Sequence, residues 1–297
     1  MIRKKIILVG APFSPGSSKR GTELAPSVFY SLELLTKLKQ ITKNISIVNI
    51  GKNEKYDDEI VEGVRNKDAV VAISQELKVC VQKYISNDTL VLIMGGDHVI
   101  SLGTIAGSLM TDENIGVIYF DAHTDINTET TSVSANAHGM HMAALMGMCK
   151  SNLNEVSSER RLKSSNVFWI ETRSIDEKEV TNIQYAENVY TYDVINQRGL
   201  RTCLDEIALK LNEKNITHLH ISFDIDVMNP NMIPATGVPE KDGLIQDDIS
   251  TIMNWLRERT GVGVIDFVEY NPLLDDDTLS VGKWCVSTIY DLIKNTI

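Results

Sequence analysis

Three short runs in the chain hold side chains able to grip a cation: GGDH at Gly95–His98, DAHTD at Asp121–Asp125 and DID at Asp224–Asp226. Each follows an apolar run, respectively Leu90–Met94, Gly116–Phe120 and His218–Phe223. In extended backbone, residues two apart face the same way, so Asp121, His123 and Asp125 are expected to converge on one point, as are Asp224 and Asp226. One aspartate in such a place is ordinarily a solvated loop residue. Several carboxylates and two imidazoles at strand ends are different. Packed together without cations they repel, whereas two divalent ions cancel most of that charge. The donors are hard oxygen and imidazole with no thiolate, which favours Mn²⁺ over Zn²⁺ or copper, with Fe²⁺ or Co²⁺ as substitutes. Two ions about 3.5–4 Å apart would share a bridging water and supply hydroxide near neutral pH, which is hydrolase chemistry.

Parallel α/β sheets bind ligands at the carboxyl ends of their strands, so the elements must bring these runs to one edge. Apolar runs at Ile6–Val9, Ile45–Ile50, Leu90–Met94, Gly116–Phe120, Val167–Ile170, His218–Phe223 and Val262–Val268 read as buried strands. Between them, helical spacing occurs at Ala25–Lys39, Val70–Ile85, Leu200–Asn212, Asp247–Glu258 and Thr278–Ile293. The alternation predicts one α/β domain over residues 1–297 with a mostly parallel central sheet flanked by helices. The segment Asn127–Ala137 (NTETTSVSANA) is small, polar and too long for an ordinary connection, which marks it as functional or mobile.

A chain of 297 residues with 43% hydrophobic content can bury a full core. Its four cysteines, Cys80, Cys149, Cys203 and Cys285, form no CxxC pair and read as free thiols in a reducing compartment. The apolar run IILVG near the start is too short for a signal peptide, and no stretch is long enough to cross a membrane. A cytoplasmic protein is expected. The net charge of −11 disfavours nucleic acid and acidic membranes as partners and favours a small cationic substrate.

GGDH, DAHTD and SFDID in this order resemble the ureohydrolase family of arginases, agmatinases and formiminoglutamases. The likeness runs from GAPFSPGSSKRGTELAP (Gly10–Pro26) to DFVEYNP (Asp266–Pro272). The resemblance implies that His98, Asp121, His123, Asp125, Asp224 and Asp226 bind two Mn²⁺ per subunit, in an arginase-like fold commonly assembled into homo-oligomeric trimers or hexamers. DAHTDINT followed by SANAHG looks like the arginase pattern, which implies that Asn127, Ser134 and Asn136 bind the α-carboxylate of an amino acid. Asp176 in RSID matches the acid that takes the α-amino group, with Glu179 in support. His138 matches a proton-shuttling histidine, and imidazole is suited to proton transfer near pH 7. Glu269 in VEYNP would pair with the substrate guanidinium, a planar group that a carboxylate can hold through two hydrogen bonds. The implied reaction is cleavage of L-arginine to urea and L-ornithine by a metal-bridging hydroxide, with Asp125 or His138 moving the proton. His141 is expected to be a packing or surface residue, and His218 and His220 to be structural.

Four positions depart from the arginase pattern: Val99 where Ser is frequent, Ala135 where Gly is frequent, ETRS (Glu171–Ser174) for GLRD, and Val238 where Thr is frequent. Ser174 and Val238 would each remove a polar group near the site. The alternatives are a relative acting on agmatine, guanidinobutyrate, formiminoglutamate or an arginine analogue, and a metal-binding member without catalysis. The head-group residues Asn127, Ser134, Asn136 and Asp176 argue against the first, and the intact ligands with Glu269 and His138 against the second. A Mg²⁺ and phosphate-compound binder is a third reading, but no P-loop or GxGxxG supports it.

Overall fold

The computed structural model describes residues 5–51 and 56–297. The strands are β1 (Lys5–Gly10), β2 (Ile45–Asn49), β3 (Ile60–Val61), β4 (Val64–Arg65), β5 (Thr89–Met94), β6 (Gly116–Phe120), β7 (Val167–Thr172), β8 (Val189–Thr191), β9 (Leu219–Asp224) and β10 (Val262–Val268). The helices are α1 (Ala25–Ser31), α2 (Leu34–Leu38), α3 (Lys67–Tyr84), α4 (Ile100–Thr111), α5 (His141–Leu145), α6 (Val180–Ile183), α7 (Tyr192–Arg198), α8 (Leu200–Glu213), α9 (Gln246–Arg257) and α10 (Ser280–Thr296).

Eight strands form one sheet in the order β2-β1-β5-β10-β9-β6-β7-β8, and every pairing in it is parallel. Strands β3 and β4 make a separate antiparallel hairpin. Alternate strand residues feed two apolar layers, as the two-residue period requires of a sheet covered on both faces. Ile6, Leu8, Leu92 and Ile118 pack with α1, α2, α8, α9 and α10, whereas Ile7, Val9, Val91 and Val117 pack with α3, α4 and α5.

The seven expected strands and the helices α3, α8, α9 and α10 lie where the pattern places them, within a few residues at their ends. The expected helix Ala25–Lys39 is instead two short helices, because Glu33 between them sits at φ 64°, outside the right-handed helical region. Helix α4 escapes the periodicity because its sequence, ISLGTIAGSLMT, is buried almost all round and has no polar face. Strand β8 is only three residues long.

Candidate metal and substrate site

Strands β5, β10, β9, β6 and β7 are consecutive in the sheet but far apart in sequence. Their carboxyl ends deliver His98, Glu269, Asp224 with Asp226, Asp121 through Asp125, and Ser174 with Asp176, in that order across the edge. These residues line or border one cavity of about 320 Å³, which also takes in Asn127, Ser134, Asn136, His138, Glu179, Val238 and Glu240.

Two groups of donors meet at Asp121. His98, Asp121 and Asp224 form one, and Asp121, His123 and Asp226 form the other, while a third group, His98, Asp125 and His141, meets the first at His98. His98 Nδ1 lies 2.9 Å from Asp121 Oδ2, 3.1 Å from Asp224 Oδ2 and 3.4 Å from Asp125 Oδ2. His123 Nδ1 lies 3.0 Å from Asp226 Oδ2 and 3.3 Å from Asp121 Oδ1. The expected single point for Asp121, His123 and Asp125 is therefore corrected: His123 meets Asp121 and Asp226, whereas Asp125 meets His98 and His141, and Asp121 shares a group with His98 but not with His141. Extended alternation fails there because Asp125 takes φ 53°, while Ile225–Val227 winds into a 3₁₀ turn that still brings Asp226 beside Asp224. Backbone N–H groups fix the acids, with His123 N donating to Asp121 Oδ1 at 2.6 Å, Asp226 N to Asp224 Oδ1 at 2.8 Å and Ala122 N to Asp226 Oδ1 at 3.1 Å.

The electrostatics show a surplus of negative charge. Burial, then the charges of Asp226 and Asp121, push the Asp224 carboxyl well above the usual range. Burial, then Asp121, pushes Asp125 up to about 7. Burial works against the charged imidazoles of His98 and His123, yet the facing carboxylates hold both well above the ordinary histidine value. Asp121 Oδ2 is buried and accepts no hydrogen bond although His98 Nδ1 is close by. Four carboxylates and two imidazole lone pairs converging without thiolate fit two hard or borderline divalent ions, which would relieve the repulsion that protons only partly offset.

Beyond the donors, His138 Nδ1 lies 3.0 Å from Glu269 Oε1, and His98 N–H donates to that same oxygen at 2.8 Å. Burial would lower the His138 pKa, but the hydrogen bond and charge of Glu269 raise it to about 9. Burial opposes ionisation of Glu269 too, and His138 holds it below its ordinary value. Asn127 Nδ2 donates to Asp176 Oδ2 at 2.9 Å. Ser134 Oγ accepts from Asn136 N, and Asn136 Oδ1 accepts from Arg65 Nε at 2.9 Å. The long polar loop is thus propped by the β3–β4 hairpin. Glu179 is buried with both oxygens already engaged: Oε1 accepts from Thr124 Oγ1 and Ile126 N, and Oε2 from Asp176 N. It holds the chain around Asp176.

Several contacts were not legible in the sequence. His141 is fully buried, with its ring 4.7 Å from that of His98, so it is not a surface residue. Tyr119 donates to Asp125 Oδ2 at 2.6 Å. Glu240 Oε1 accepts from Ser174 Oγ at 3.0 Å and stands 3.7 Å from His123 Nε2, so the serine brings a carboxylate to the site. Val99 is buried in the apolar layer rather than at the cavity. His220 is buried against Asp266 and Ser108, whereas His218 is half exposed and pairs with Asp112 at the opposite end of the strand. Tyr119 lies on β6 two residues before Asp121, a parity that gives it the same side of the strand, but phenol is not a usual cation ligand.

Fold and site together define an α/β protein able to hold cations at the carboxyl edge of its sheet. The arginase family model matches residues 4–290. The arginase of Bacillus caldovelox is 32% identical over 294 residues, covering 97% of this chain and 98% of that protein. The crystal structure of Entamoeba histolytica arginase in complex with L-ornithine matches with a TM-score of 0.91 at 29% identity, covering 99% of each chain. The structure of Bacillus subtilis arginase matches at 0.88 and 31% identity, covering 98% of each. A formimidoylglutamase from Bacillus subtilis, at 0.75 and 21% identity over 98% of this chain and 87% of its own, shares the fold. The chain belongs to the arginase family and is a hydrolase of that family.

Proposed function

We propose that the protein is an arginase, hydrolysing L-arginine to urea and L-ornithine with two Mn²⁺ per subunit held by His98, Asp121, His123, Asp125, Asp224 and Asp226. The observation that carries this reading is the sharing of Asp121 between two donor groups, in one cavity with Glu269 at one side and the Asn127–Asp176 pair at the other. Two such ions, when bound, supply Lewis acidity and hydroxide near neutral pH.

The chain's own residues do the rest. Glu269 receives the guanidinium. The arriving cation competes with His138 for that carboxylate, which loosens the proton on His138 Nδ1 and readies it for the departing amine. Asp125 is the second proton carrier. Asp176 takes the α-amino group, with Glu179 holding the chain around it, and Asn127, Ser134 and Asn136 take the α-carboxylate directly or through water. A head group read this way favours an amino acid over agmatine. The relative solved with L-ornithine supports the same choice. The four cysteines are free and buried, in keeping with the cytoplasm. Assembly as a trimer or hexamer completes the proposal.

The test is urea release by Mn²⁺-loaded protein given L-arginine, agmatine and 4-guanidinobutyrate in parallel, with Asp125→Asn as control. Preference for arginine and loss of at least about 100-fold in the variant are expected. Preference for another guanidine overturns the substrate, and no urea from any of them overturns the activity.

A further inference from the structure

Behind Asp125, on the side away from the cavity, three buried aromatic side chains meet. Tyr119 Oη donates to Asp125 Oδ2 at 2.6 Å, lies 3.0 Å from His141 Nε2 and 3.3 Å from His98 Nδ1. The Tyr119 ring also stacks on the His98 ring, with centroids 5.0 Å apart and planes 5° from parallel. His141 Nδ1 is 2.7 Å from the carbonyl oxygen of His138. A carbonyl only accepts, so His141 Nδ1 carries a proton and the ring is locked with Nε2 toward the phenol. Tyr119 and His141 are both inaccessible to solvent.

We propose that Tyr119 and His141 are positioning residues: together they hold Asp125 and His98 in the orientation needed to grip one of the two ions. This rests on the two-ion reading above. Asp125 leaves the right-handed and extended regions at φ 53°, so its carboxylate is not aimed by regular backbone and needs a side-chain partner. The phenol supplies one. It touches neither of the ligands peculiar to the other group, His123 and Asp226, so its influence is confined to the His98 side. The single phenol proton lies between two acceptors, Asp125 Oδ2 and the unprotonated His141 Nε2, so the imidazole limits the swing of the hydroxyl, and its own anchor is the backbone of His138, which ties the ion's surroundings to the residue that faces Glu269. Outer-sphere partners of this kind fix ligand orientation, and their loss weakens metal binding by about 10–100-fold.

The experiment is Mn²⁺ titration of the metal-free full chain by calorimetry and by electron paramagnetic resonance, comparing the parent with Tyr119→Phe and His141→Asn. Phenylalanine keeps the stacked ring and removes only the hydroxyl. Asparagine can still offer an N–H to the His138 carbonyl but withdraws the imidazole nitrogen from the phenol. Expected for Tyr119→Phe is one ion bound as in the parent and the other about 10–100-fold more weakly, with a mononuclear spectrum where the parent shows a coupled pair. His141→Asn should weaken the same ion by a smaller factor. Retention of both parental affinities in Tyr119→Phe overturns the inference, and so does equal weakening of both ions, which would mark general loosening. If Tyr119→Phe does not fold, His141→Asn is judged by the same criteria. A parent that binds fewer than two ions overturns the two-ion reading itself, whereas a parent with two ions and a variant that keeps both parental affinities overturns the inference alone.

Discussion

Neither oxygen of the Glu171 carboxyl, buried at the end of β7, has a hydrogen-bond partner, and the residue's backbone sits at φ 77°. Arginases frequently have glycine there, which accepts that backbone freely. Burial raises the Glu171 pKa to about 8, with Arg173 opposing and Asp248 and Asp242 adding to the rise. Between the ordinary value near 4.5 and about 8, the native state keeps a proton that the unfolded chain has lost. Stability therefore falls as pH rises through that window and levels off above it. Glu171→Gln stays neutral throughout. Its advantage over the parent in chemical denaturation should be small at pH 5 and grow to about 1–3 kcal/mol by pH 8; an advantage independent of pH would refute the buried-acid account. The neighbouring residues act together: Arg173 donates to the carbonyls of Asp226 and Lys241 at 2.7 and 2.8 Å, and Ser174 holds Glu240. The ETRS segment pins the loop after β9 across the metal-capable edge.

At the scale of elements, the turn after β5 must pass under two neighbours to aim His98. Gly95 N–H donates to Phe267 O, Asp97 N–H to Phe13 O, and Glu269 N–H to Gly96 O, so this turn stitches together the ends of β1, β5 and β10. A Cβ on Gly96 would stand 2.0 Å from Phe13 O and 2.9 Å from Ala11 O, both of them backbone. No side chain can swing away to make room. Gly96→Ala should cost about 1–3 kcal/mol of stability and, by moving His98 and Glu269 together, reduce activity by more than the loss of folded protein explains. Denaturation curves set beside urea release per folded molecule will show this; full activity in a folded variant would contradict the close approach.

The whole molecule carries a net charge of −11, and four of its acids, Asp121, Asp125, Asp224 and Asp226, are buried together at the sheet edge. Cations bound there stabilise the native state by mass action, because the unfolded chain does not assemble the site. Dialysis against a chelator should lower the melting temperature, and Mn²⁺ at 100 times its dissociation constant should restore about 2.7 kcal/mol. Mg²⁺ at equal concentration should restore less, since imidazole suits it poorly. A melting temperature indifferent to both ions would argue that the acid cluster is not a metal site.

Ligand chemistry and fold class were legible in the sequence because both are local. Alternating apolar runs and helical spacing specify parallel strands and covering helices, and His98, Asp121, His123, Asp125, Asp224 and Asp226 stand within a few residues of strand ends that the pattern already marks. What the sequence could not supply is which of these residues meet. That depends on the order β5-β10-β9-β6-β7, set by crossovers that bring chain segments more than a hundred residues apart to adjacent strands. The division of donors into two groups about Asp121, the pairing of His138 with Glu269, and the brace of Tyr119 and His141 behind Asp125 belong to tertiary structure alone. So does the arrival of Glu240 at His123. Each is a contact of a few ångströms between side chains whose separation along the chain carries no trace of it.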